Sequence, residues 1–87
     1  MTSSHETVAR YRKAERLADF LESTETDIDP ATLTTEGRRM AEQLAMVRVA
    51  SESTWALVAE ILRTRAKVRA AISELPADPF HAFGSTR

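Results

Sequence analysis

From the N terminus, Val8, Tyr11, Ala14, Leu17, Ala18 and Leu21 recur at steps of three and four, with Phe20 beside them. Apolar residues so spaced share one face of a 3.6-residue helix, and they predict a first helix over about 4–22. Ser3 and Glu6 stand at the S-x-x-E spacing of a capping box, in which each side chain can satisfy an orphan amide at the helix start. Arg10, Arg12, Lys13 and Arg16 take the remaining surface. An acidic connection over 23–33 follows; from Asp19 onward Asp19, Glu22, Glu25, Asp27 and Asp29 pass with no base between them. Within it, Asp29 before Pro30 predicts a cap and a first-turn proline, opening a short helical turn through Leu33.

A second helix is predicted over 35–48. Thr34 or Thr35 can cap it, and Glu36 lies in the first turn, where the helix dipole favours a negative charge. Its stripe is Leu33, Gly37, Met40, Leu44 and Val47. A glycine weakens a helix interior by about 1 kcal/mol, so Gly37 implies close packing or a late helix start. The third helix is predicted over 52–75, capped by Ser51 or Ser53 and unbroken until Pro76, before which the chain should leave the helical region. At 1.5 Å per residue it is roughly 34 Å long. Trp55, Val58, Leu62 and Ala66 line one side; Leu57, Ile61, Val68, Ile72 and Leu75 line an adjacent one. The first half is apolar over a wide arc and should be the core spine, with Trp55 as an anchor and helices 1 and 2 packed on it. The second half, RTRAKVRAAISEL, leaves only a narrow stripe. Two prolines and a glycine after Leu75 give no regular element in 77–87, and nothing in the chain alternates as a strand does. The pattern therefore predicts an all-α protein: a small three-helix domain over 1–76 with a long helix 3 and an irregular C-terminal tail.

Composition narrows the functional classes. Eighty-seven residues make one small domain. A chain of this size buries only about 60% of its unfolded surface, and partner binding or self-association is a common remedy. The net charge of −1 supplies no global field toward nucleic acid or anionic membrane. The absence of cysteine excludes disulfides, thiolate metal sites and cysteine catalysis. The start lacks the apolar core of a secretory signal, and no apolar run approaches the roughly 20 residues needed to span a bilayer. A cytoplasmic protein without membrane contact is expected. Ten arginines against two lysines, with abundant alanine, suggest a high-GC bacterial or phage genome. His5 and His81 are the only imidazoles; no H-x-x-x-H, phosphate-cradling glycine loop or G-x-S-x-G occurs. Nor can so small a domain readily enclose a ligand pocket of a few hundred cubic ångströms. The expectation is a protein that is no enzyme and takes no metal, cofactor or small-molecule substrate.

Two segments resemble parts of DNA-binding families. With Ala45 at the small-residue position, Ala50 in the turn and Ser51 opening the second helix, segment 41–58 resembles the helix-turn-helix of many bacterial repressors. That resemblance implies a second helix in the major groove, with Ser51, Glu52, Ser53 and Arg48 near bases and Arg63 or Arg65 near phosphate. It departs from the pattern where Val49 occupies the turn position usually held by glycine and Arg48 a normally buried apolar position. The outward Glu52, Ser53, Ala56 and Leu57 also lack the Arg, Lys, Asn and Gln that read bases. LTTEGRRMAEQLA, residues 33–45, looks like the step after the wing of some winged-helix regulators, but no wing hairpin precedes it. A threonine cap with a polar first turn accounts for the same residues.

The reading favoured on sequence is a non-catalytic interaction module, a small regulator or adaptor acting through protein–protein contacts. The stripe of Ile61, Val68, Ile72 and Leu75 is longer than two short helices can cover. Its far end is expected to bind another protein or to dimerise. Val68, Ile72 and Leu75 carry the contact, together with Phe80 and Phe83 of the tail, whose Pro79 would limit the entropy lost on binding. The basic residues of helices 1 and 3 are expected as solvated faces, as phosphate contacts, or as internal partners of the acids in 19–29.

Overall fold

The computed structural model describes residues 4–24 and 28–75. Three α-helices and one 3-10 turn account for most of these: α1 Ser4–Thr24, the 3-10 turn Pro30–Thr32, α2 Thr35–Leu44 and α3 Glu52–Ser73. No described residue is in a strand, and the protein is all-α with α3 its longest element. No helix is long and apolar enough to cross a membrane among the described residues.

Local chemistry sets most of the boundaries. Asp29 accepts the Ala31 amide at 3.0 Å and opens the 3-10 turn, with Pro30 in its first position. Thr34 accepts the Gly37 amide at 3.1 Å and Ser51 the Thr54 amide at 3.3 Å, so each supplies an acceptor to a donor that has no partner within the helix. At the end of α1, the hydroxyls of Ser23 and Thr24 donate to the Phe20 carbonyl at 2.8 and 3.2 Å. The Ser3 cap, the Pro76 stop and the tail lie outside the described residues.

α2 ends earlier than the periodicity predicts, at Leu44 and not near Arg48. Met46 takes a left-handed conformation, φ 59°. Its amide and that of Val47 donate back to the carbonyls of Gln43 and Glu42 at 3.2 and 2.9 Å. This is a Schellman ending built on methionine instead of glycine, at a conformational cost of about 1 kcal/mol. α1 runs two residues further than expected, and α3 stops two residues sooner.

The core lies between α1 and α3. Ala14, Leu17, Ala18 and Leu21 meet Trp55, Val58 and Ile61, with Ala41 and Ala50 completing the cluster. Leu17 and Val58 are fully enclosed, each removing about 1.5–3 kcal/mol worth of apolar surface from water. Tyr11 and Glu15 share a shallow depression with Leu57 and Ile61, whereas Glu22 reaches Arg65 and Arg69, so α1 and α3 ascend in the same sense. The 3-10 turn packs on α3, and α2 lies mainly against α1.

The face α2 turns inward is a correction to the sequence reading. Met40 and Leu44 of the expected stripe are exposed, while Ala41 and Glu42 are buried. The cause is polar: Arg38 and Glu42, one turn apart, are both held by groups on α3 and its approach. The alanines on that side let α2 sit close.

Candidate interaction surface

Two polar assemblies hold α3 in place. In the first, Glu42 Oε2 accepts the Ala50 amide at 2.8 Å and the Trp55 indole Nε1–H at 3.2 Å, inside the core. Arg38 lies over the Trp55 ring, 5.1 Å from its centroid, donates to Glu52 Oε2 at 2.7 Å and reaches the Pro30 carbonyl at 3.3 Å. A buried tryptophan contributes a large apolar surface but needs an acceptor for its N–H, and Glu42 supplies one. Nothing in the spacing of Glu42 along α2 points to these partners, which lie eight and thirteen positions away. The signal available was the buried indole itself, which requires an acceptor somewhere on the neighbouring helix.

The second assembly joins the end of α1 to the middle of α3. Arg65 donates to Asp19 and Glu22 at 2.8 Å each, and Arg69 donates to Glu22 at 2.9 Å. The Arg69 hydrogen bond holds the Glu22 carboxyl below the ordinary glutamate range; burial opposes the effect and Arg65 adds to it. Burial works against the charge on Arg65, and its hydrogen bonds to Asp19 and Glu22 outweigh that, holding it above the ordinary arginine value. Arg63 pairs with Glu60 within α3 at 2.6 Å, which lowers the Glu60 carboxyl. Of the alternatives open for the basic residues, Arg65 and Arg69 realise internal pairing with the acids that begin at Asp19.

Beyond this clamp α3 stands uncovered. Every residue from Ala66 to Leu75 is exposed, including Val68 (51%), Ile72 (60%) and Leu75 (56%). Val68 and Ile72 lie one turn apart on α3, the spacing of a seam that another helix can cover, and Leu75 follows three positions later, just past the end of the helix. Ile61, at the inner end of the same stripe, is buried against α1. The structure thus brings Val68, Ile72 and Leu75 onto one exposed strip; Phe80 and Phe83 lie outside the described residues.

The residues considered for nucleic-acid contact are dispersed. Arg48 is exposed on the connection between α2 and α3. The Ser51 hydroxyl is engaged with Ser53, Thr54 and the Thr54 amide at the start of α3. Arg63 and Arg65 lie further along α3 in the ion pairs above. The left-handed residue of the connection is Met46, three positions before Val49, where the repressor pattern has glycine. Among the described residues no group of three His, Cys, Asp or Glu side chains could hold a metal ion.

Compared with known proteins, the chain matches no family model, no curated protein and no solved structure.

Proposed function

We propose that this chain is a non-catalytic interaction module, a small cytoplasmic regulator or adaptor, and that it associates through the distal strip of α3 with a second copy of itself. The observation that carries the reading is the strip: Val68 and Ile72 one turn apart on α3 and Leu75 just past its end, each more than half exposed and covered by no described element. A straight helical strip is self-complementary, as a two-fold interface requires. Association would also supplement the marginal core of so short a chain. The internal clamp of Arg65 and Arg69 on Asp19 and Glu22 supports the reading, because it fixes the root of the projecting segment.

Sedimentation equilibrium tests the proposal. An interface this small belongs to the weak class, with dissociation in roughly the 10–100 μM range. The wild-type chain should pass from monomer to dimer across that range. Ile72→Asp should remain a monomer with an unchanged far-ultraviolet circular dichroism spectrum. A wild-type chain that stays monomeric throughout would contradict self-association.

The helix-turn-helix reading of segment 41–58 has less support. Two consecutive helices with a serine cap on the second are in its favour. Against it, Ala45–Ser51 is a long connection for that unit, and the start of α3 presents the Glu52 carboxylate, itself bound by Arg38.

A further inference from the structure

The cations of the described residues fall into two groups. On α3, Arg63, Arg65 and Arg69 are each in an ion pair, as is Arg38 on α2. Arg10, Arg12, Lys13, Arg16, Arg39, Arg48 and Lys67 make no ion pair with any described carboxylate; five of these, Arg12, Lys13, Arg16, Arg39 and Arg48, line two neighbouring depressions, and Arg10 and Lys67 lie outside them.

The fold gathers the five in a specific way. Arg12, Lys13 and Arg16 form one wall of an open depression, and Met46, Val47 and Arg48 form the other. The left-handed turn at Met46 throws the connection toward α1 and leaves the Met46 side chain 84% exposed. A second depression shares Val47 and Arg48 with the first and continues it to Arg39, Gln43 and Val49. No carboxylate lines the first depression. The one that lines the second, Glu42, has Oε2 occupied by Ala50 and Trp55. Glu15, the acid nearest in sequence, lies with Tyr11 and Ile61 in a separate depression.

In the isolated molecule this arrangement is unfavourable. Arg12 and Arg16 are four residues apart on one helix and Lys13 and Arg16 three apart, and like charges at those spacings repel. A strained non-glycine turn is retained at the same place, and strain of that kind clusters where a ligand is held. An anion would relieve the repulsion. The trough is open and its charges are strung along a helix and a loop, which suits a polymer carrying successive charges better than a single small anion. Four of the five cations are arginine, whose planar guanidinium matches phosphate oxygens in a two-point contact. Exposed Met46 and Val49 add apolar surface beside them, suited to sugar and base faces.

We infer that the trough formed by Arg12, Lys13 and Arg16 of α1 with Arg39 and Arg48 is a sequence-independent binding site for the phosphate backbone of nucleic acid. It is distinct from the α3 strip, since neither depression is lined by any residue of α3. It requires no base reading by the start of α3. The assignment replaces Arg63 and Arg65 as the phosphate contacts with cations that have no internal partner.

Fluorescence anisotropy of a labelled random-sequence DNA duplex, titrated with the full chain, tests the inference. Neutralising about four phosphates gives a slope near −3.6 for log affinity against log salt, so affinity should fall about 100-fold between about 50 and about 200 mM salt. Arg12→Gln, Arg16→Gln and Arg48→Gln should each reduce the slope by about one, and the triple variant should lose binding. Arg63→Gln and Lys67→Gln should bind as wild type does. All these side chains are exposed, and circular dichroism of each variant confirms that the helices persist. Met46→Glu, which adds a negative charge without removing a cation, should weaken binding in the same direction. The inference is overturned by no binding at the lower salt, by equal binding of the triple variant, or by binding to phosphatidylserine vesicles or an acidic peptide in place of DNA.

Discussion

Between Trp55 and Ile61, α3 lies against α1 and the 3-10 turn, and Trp55, Val58 and Ile61 are buried; beyond Arg65 the same helix carries Val68 and Ile72 into solvent, with Leu75 exposed just past its end. Both stretches carry large aliphatic residues at helical spacing, over a wide arc in the first and a narrow stripe in the second. They differ in what the rest of the chain can reach. α1 ends at Thr24, and its last contacts with α3 are the Glu22 pairs with Arg65 and Arg69. Hydrophobic periodicity therefore locates a surface that can be buried, while the length of the neighbouring elements decides whether this chain buries it.

Large-to-small substitution separates the two stretches most strongly. Leu17→Ala, in the fully enclosed core, should cost about 3 kcal/mol, which for so small a domain threatens folding itself. Ile72→Ala at concentrations where the chain is monomeric should change stability by no more than about 0.5 kcal/mol. Urea unfolding reads both as shifts in midpoint at constant slope. Equal losses would mean that the distal strip is core after all. Glu42→Ala comes next. It strands the Ala50 amide and the Trp55 N–H in the core and should cost about 2 kcal/mol, with Glu42→Gln costing less because a carbonyl acceptor remains.

Smaller effects sharpen the boundary between the halves. Glu22 has its folded carboxyl lowered from an ordinary value of 4.5. Its contribution is therefore complete above that value and is lost as pH falls through the lower folded value. Glu22→Gln should lower stability at neutral pH by less than about 1 kcal/mol, as expected of a partly exposed pair. The gap between wild type and variant should close in acid when urea midpoints are compared across pH. Met46→Gly should stabilise the chain, by about 0.5 kcal/mol, because glycine adopts the left-handed region without strain while loosening the unfolded chain.

How far each feature can be read in the sequence follows from the range of the interaction behind it. The caps at Asp29, Thr34 and Ser51 and the turn at Pro30 rest on contacts within three residues, and each appears where its local pattern points. The buried face of α1 from Ala14 to Leu21 and the anchor at Trp55 follow from periodicity, whereas Val8 and Tyr11 of the same predicted stripe are exposed. The inward face of α2 does not, because Arg38 and Glu42 act through Trp55, Glu52 and Ala50, eight to seventeen positions away, and these polar contacts outweigh the pull of Met40 and Leu44. Its early end escaped because Met46 occupies the position where glycine would signal a stop. The exposed strip was legible as surplus length on α3. The sorting of cations into paired and unpaired sets was not, since it depends on which acids the fold brings near them.

Cysteine cross-linking tests the central claim most directly, because the chain contains no cysteine of its own. Ile72→Cys and Val49→Cys each place one thiol at an exposed aliphatic position, the first in the distal strip and the second in the connection that precedes α3. Under mild oxidation at protein concentrations near the association range, Ile72→Cys should form disulfide-linked dimers rapidly and Val49→Cys only at the slow, collision-limited rate. Equal rates at the two positions would contradict the claim.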